Sequence, residues 1–126
     1  DTWKNIQANE EFVINLVGDD FGDLMEPLSR DLPYEVSEIK EFGLTEVPSK
    51  IIKPPRIGEA YGWMECRMTS YSEISNRVVW IFGEVLLSEI KKEALDEVVN
   101  VEVVKPLNHI SGEYFVANMS RTKYKR

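Results

Sequence analysis

Two apolar runs of strand length, residues 61–71 and 77–87, restrict the fold of this chain more than any other feature. In YGWMECRMTSY, Met64, Cys66 and Met68 alternate with Trp63, Glu65, Arg67 and Thr69. That period of two predicts a half-buried strand with Cys66 on its core face. In RVVWIFGEVLL both faces are apolar except at Gly83 and Glu84, which predicts a strand covered on both sides. Gly83 within it marks a bulge or a close backbone approach. Strands this long need partners, and three shorter candidates supply them: EFVINLV (11–17), VEVVKPL (101–107) and GEYFVAN (112–118). In the first, Phe12, Ile14 and Leu16 point one way and Val13, Asn15 and Val17 the other. Strands outnumber helices, so the expected class is mainly β, a β-barrel or sandwich with short helical insertions.

The helical signals are brief. DTWKNIQAN opens with Asp1 or Thr2 as N-cap, places Trp3 and Ile6 on one face, and runs out near Asn9. GDDFGDLMEPLSRDL spaces Phe21, Leu24, Met25 and Leu28 as one helix face, with the Asp19–Asp20 pair as cap and Pro27 forcing an early end. VSEIKEFGL predicts a second short helix, capped by Ser37 and stopped at Gly43. Residues 45–60, with Pro48, Pro54 and Pro55, have no clean period and read as an extended surface segment. SEIKKEALDEVVN (88–100) reads as a polar connection with one helical turn. No repeat or low-complexity segment interrupts 1–126, which the length prior makes one domain.

Composition excludes several functions. A net charge of −7 argues against a surface that neutralises nucleic-acid phosphates. No apolar run approaches the roughly 20 residues of a membrane span, and no signal-peptide pattern opens the chain. The single cysteine, Cys66, rules out an internal disulfide and suits a reducing cytoplasm, where the Asn118-Met119-Ser120 sequon is a chance match. His109 is the only histidine and has no partner at metal-ligand spacing, so no zinc site is expected. Neither a dinucleotide-binding glycine motif nor a P-loop is present. The residues alone define a soluble β-rich domain.

Five strings in register carry the reading further: DTWKNI…EEFVINLV, GLTEVPSKIIKPPRIGEA, ECR, FGEV and KPL…GEY. Together they resemble the flavin reductase-like, FMN-binding split-barrel family, the flavoredoxin and flavin-reductase group, over essentially the whole chain. The resemblance implies a split barrel that forms a homodimer and holds FMN at the subunit boundary. It also implies hydride transfer from NADH or NADPH to flavin, or electron passage to an acceptor. A helix N-terminus suits a flavin phosphate, and in similar proteins the threonine of the opening turn lies in the phosphate pocket. Thr2 is thus the first candidate contact, with Lys4 and Asn5 behind it; Asp1 would repel a phosphate and receives no role.

The sequence departs from the family in two ways. Members carry several strands upstream of the opening turn, so the chain resembles the C-terminal portion of a domain. Many also place a histidine just before Gly-Glu-Val; here that stretch is SNRVVWIFGEV, with Asn76 and Arg77 nearby. Arg77 could stabilise charge on a reduced flavin or be an ordinary solvated arginine. His109, in NHISGEY, is either ligand-facing or a satisfied surface histidine, and Tyr114 has the support of the matching Gly-x-Tyr. The missing histidine keeps two alternatives open: a non-enzymatic FMN carrier or electron-transfer module, and a truncated dimeric domain without flavin. Lys50, Lys53 and Arg56 read as a solvated charged edge, and Trp63, Trp80 and Phe82 as barrel-core or dimer-interface residues. RTKYKR reads as a mobile basic tail.

Overall fold

The computed structural model describes residues 2–30, 32–33, 36–76 and 78–125. The two long runs form one antiparallel hairpin, β4 (Gly62–Ser75) and β5 (Val78–Ile90), and β1 (Glu11–Leu16) lies along β4 to give the sheet order β1-β4-β5. β1 covers only the first part of β4, from Leu16 opposite Gly62 to Glu11 opposite Arg67. Two small hairpins complete the strands: β2 (Glu46–Val47) with β3 (Arg56–Ile57), and β6 (Asn108–Ser111) with β7 (Tyr114–Val116). The fold is mainly β with short helices.

The alternation read from the sequence sets the two faces of the sheet. Phe12 pairs with Cys66, which is buried, and Met64 and Met68 beside it are half-buried. The ring of Phe12 lies over Gly83, where a Cβ would sit 2.7 Å from Phe12 Cζ, so glycine is needed for this close approach. The ladder also slips beside this point, between Met68 and Ser70, so the position combines a bulge with a close approach. Glu65, expected on a half-exposed face, is instead fully buried.

β5 is not covered on both sides. Trp80 is 61% exposed, and Val78, Phe82 and Val85 are exposed as well. Beyond Arg67 the β4–β5 hairpin outruns β1, and Tyr71 and Ile74 are exposed on β4 in the same region. Trp3 of the first helix makes an edge contact with Tyr71, their ring centroids 4.9 Å apart.

α1 (Thr2–Asn9) buries Ile6 and ends at Glu10, whose positive φ of 56° lets its N–H donate back to Ile6 O at 2.8 Å. A 3-10 turn at Asp19–Phe21 precedes α2 (Gly22–Leu28); the aspartates begin that turn, but no side chain caps α2. Pro27 stands in its last turn, and the helix stops at Leu28. α3 (Glu38–Glu41) stops as expected at Gly43, φ 68°, but Ser37 does not cap it: its hydroxyl donates to Glu46 at 3.3 Å. Residues 45–60 are less open than expected, since they include the β2–β3 hairpin and bury Ile52, Arg56 and Ala60.

The largest secondary-structure difference is VEVVKPL. Residues Val101–Val104 form a helical turn, α4, because Asn100 caps it by accepting from Val103 N at 3.2 Å. Lys105 then closes it in the left-handed region, with Pro106 behind. The basic tail is fastened rather than free: Arg121 pairs with Asp96 at 2.6 Å and with Glu102 at 2.9 Å. Both pairs are well exposed, a setting in which ion pairs add little stability.

Replacing Gly83 with alanine is expected to lower unfolding stability by about 1–3 kcal/mol through overpacking against Phe12. Denaturant titration measures this, and adding Phe12→Leu should restore part of the loss. Full stability in the single variant would contradict the close-approach assignment.

Candidate functional site

A groove of 540 Å³ runs between α1, β1 and the proline-rich segment. Thr2, Asn5, Ile6 and Asn9 form its helical wall; Glu11, Phe12, Val13 and Asn15 form its floor; Lys53, Pro54 and Pro55 close the far side. The first turn of a helix presents N–H groups without intrahelical acceptors and a partial positive charge. Thr2 lies at that end of α1, adding a hydroxyl.

The far wall is held by carboxylates rising from the sheet. Glu65 of β4 is 0% exposed and accepts the N–H groups of Lys50 and Ile51, each at 2.8 Å, and that of Ile52 at 3.4 Å. Glu11 of β1 accepts Lys53 N–H at 3.1 Å, and Asn15 accepts Ile57 N–H at 2.9 Å. Ser49 donates to Pro54 O, closing the segment on itself. Consecutive amides converging on one carboxylate make a nest of the kind that binds anions, here filled by the protein's own side chain.

Arg56 corrects the expectation of a solvated edge. It is 4% exposed, donates from Nε to Glu65 Oε1 at 2.7 Å and from Nη1 to Glu89 at 2.5 Å. Its Nη2 lies 2.5 Å from Glu65 Oε1 without the alignment of a hydrogen bond, so that contact is an ion pair only. Lys50 is not a loose charge either, since it pairs with Glu89. Lys53 is exposed at the groove. Trp63 packs below, with the Arg56 guanidinium 5.3 Å and the Lys91 ammonium 5.6 Å from its ring centroid, and its indole N–H donates to Ile57 O at 2.8 Å.

Burial alone would push the Glu65 carboxyl up, but the N–H groups of Lys50 and Ile51 and the Arg56 guanidinium outweigh it and hold it below the usual range. Burial likewise opposes the Arg56 charge, yet its bonds to Glu89 and Glu65 raise its pKa. Hydrogen bonds from Lys50 and Arg56 lower Glu89. Burial raises the Cys66 thiol.

Of the residues singled out in the sequence, Thr2 and Asn5 line the groove, whereas Lys4 is exposed on α1 outside the lining. His109 and Tyr114 stand on the exposed β6–β7 hairpin, away from the groove; His109 Nε2 is 3.0 Å from Gly112 O and its ring packs on Phe115. Arg77 lies outside the described residues. Sequence reasoning missed Asn15 and Glu65, although a polar residue inside the apolar string EFVINLV was a visible signal for the first. Among the described residues no group of three His, Cys, Asp or Glu side chains could hold a metal ion, and no helix is long and apolar enough to cross a membrane.

The lining combines a helix N-terminus, a hydroxyl, side-chain amides, one ammonium and the Glu11 carboxylate with Val13 and two prolines, a mixed set with room for a planar ring carrying a phosphate. Its volume is in the range of small-molecule sites. Comparison with known proteins gives the class. Residues 1–118 match the flavin reductase like domain, and the chain belongs to that family. A protein of Aquifex aeolicus (strain VF5) is 37% identical over 127 residues, covering 99% of this chain and 64% of its own length. The 2-nitrobenzoate 2-nitroreductase of Pseudomonas fluorescens shares 28% identity at a TM-score of 0.85, over 100% of this chain and 64% of that one. A split barrel domain structure from Shewanella frigidimarina NCIMB 400 superposes at a TM-score of 0.80, with 18% identity, over 98% of this chain and 65% of that one. The fold is therefore a split barrel, and the chain spans less than two thirds of these relatives.

The lowered pKa values of Glu65 and Glu89 mean that their contribution to stability is complete above the ordinary carboxylate value of about 4.3 and is lost as pH falls through the folded-state values. The melting temperature of the protein should therefore fall below about pH 4.3. Glu65→Gln should be less stable at pH 7, by roughly 1–3 kcal/mol for unsatisfied donors, and should show a shallower acid slope. An acid slope equal to that of the wild type would contradict the buried ion pair.

Proposed function

We propose that this chain belongs to an FMN-dependent reductase and holds the flavin in the groove between α1, β1 and the proline-rich segment. The observation that carries this reading is that Thr2, at the α1 N-terminus, and Lys53, of the proline-rich segment, line one groove together with Val13, Pro54 and Pro55. When bound, the flavin supplies hydride and electron exchange with NADH or NADPH. The protein binds and orients. Thr2 Oγ1 and the first-turn amides of α1 take the phosphate, Asn5 supports them, and Lys53 adds positive charge from the opposite wall. Val13, Pro54 and Pro55 exclude water from the ring. One oxygen of Glu11, which also lines the groove, accepts the Lys53 N–H. The rate enhancement then comes from holding a nicotinamide against the flavin rather than from a positioned acid.

In the same reading the protein works as a homodimer. Val78, Trp80 and Phe82, at alternate positions on one face of β5, are exposed apolar side chains of the kind that mark association, and His109 and Tyr114 stand on an exposed hairpin able to reach a neighbour. Lys4, on the outer side of α1, adds charge near the phosphate end. A single buried thiol suits a cytoplasmic location.

The purified protein should be yellow, and NADH or NADPH should bleach it. Thr2→Ala should weaken FMN binding by about 1 kcal/mol, the scale of a lost hydrogen bond to a charged group, as read by quenching of flavin fluorescence. Colour that neither nicotinamide bleaches favours an electron carrier. A colourless protein that takes up no FMN removes the proposal.

A further inference from the structure

We propose that Glu65 is a positioning residue: its buried carboxylate fixes the backbone of residues 50–52 and so sets the Lys53–Pro54–Pro55 wall of the groove that follows them. The role of that wall rests on the FMN reading above; the fixing of the backbone does not. Glu65 stands at the middle of the sheet, paired with Val13 of β1 and Leu87 of β5, on the central strand. From there it reaches three successive amides of a segment that has no sheet ladder of its own between β2 and β3. Arg56, at the far end of the segment, is clamped on the same carboxylate. One side chain therefore ties down both ends of the loop. Lys53 follows directly after the three held amides and is itself held by Glu11.

Both carboxylate oxygens are used as acceptors. Oε1 takes Lys50 N–H and Arg56 Nε–H, and Oε2 takes Ile51 N–H. A glutamine of the same shape must turn its NH2 group toward donors in either flip, so no orientation satisfies the nest. Glu65→Gln thus releases the loop while changing little of the side-chain volume.

Two readouts test the proposal on the intact protein. Amide hydrogen exchange, with no flavin added, should accelerate at Lys50 and Ile51 by roughly tenfold more than in the β1–β4 ladder, since each loses its acceptor. FMN affinity, measured for Glu65→Gln, Lys53→Ala and the double variant, should fall by roughly tenfold in the first and show much less than additive loss in the double. Exchange that rises equally in loop and ladder would make Glu65 a general stabiliser and overturn the proposal. Additive losses of affinity would also overturn it. Should Glu65→Gln fail to fold, Glu65→Asp, which keeps the charge and withdraws the oxygens, is read in the same way. If the wild type binds no FMN, the cofactor reading falls, and the exchange result still decides whether Glu65 holds the loop.

Discussion

An ionised carboxylate with no solvent contact stands at the centre of this sheet, and the arrangement around the groove depends on it. Taking a carboxylate out of water costs several kcal/mol unless its oxygens are satisfied. Glu65 recovers that cost from two short backbone hydrogen bonds and an arginine that is itself buried. Neither partner could be buried alone. The requirement runs in both directions: the sheet holds the loop, and the loop neutralises the sheet. A hydrophobic pair of the same volume could match the stability, but it could not organise three consecutive amides.

The sheet supplies the rigid base for this contact. β4 is paired on both sides over residues 62–67, which is where Trp63 and Glu65 lie. Past Arg67 the hairpin continues with one partner only and exposes Trp80 and Phe82. The same two strands thus present a stiff end that shapes the groove and a bare end suited to association. Phe12 over Gly83 joins the ends, because it brings β1 close to the place where the ladder slips.

Much of the fold was legible in the sequence because period-two alternation reports strand faces directly. That signal located β1, β4, β5 and β7, the buried Cys66 and the special role of Gly83. It failed where local capping overrode β propensity. Val101, Val103 and Val104 favour a strand, but Asn100 satisfies a first-turn amide and Lys105 closes the turn, so a helix wins. The long-range ion pairs were also hidden. Glu65 and Glu89 lie 9 and 33 residues from Arg56, so no local pattern announces that they will enclose it, and a charged residue near prolines ordinarily reads as solvated. Arg121 was misread for the same reason, since its partners lie 25 and 19 residues away. For the site, the helix start and Thr2, which line the groove, were legible as candidates through the family resemblance; the opposite wall was not, because it is built by backbone contacts that composition does not encode.

The most direct test is a crystal structure of the protein with FMN bound. The phosphate should lie within roughly 3 Å of Thr2 Oγ1 and the first-turn amides of α1, with the ring between Val13 and the Pro54–Pro55 wall and Glu65 still holding the loop. A phosphate seated elsewhere, for instance in the hollow beside Asp19, Glu59 and Lys105, would contradict the account.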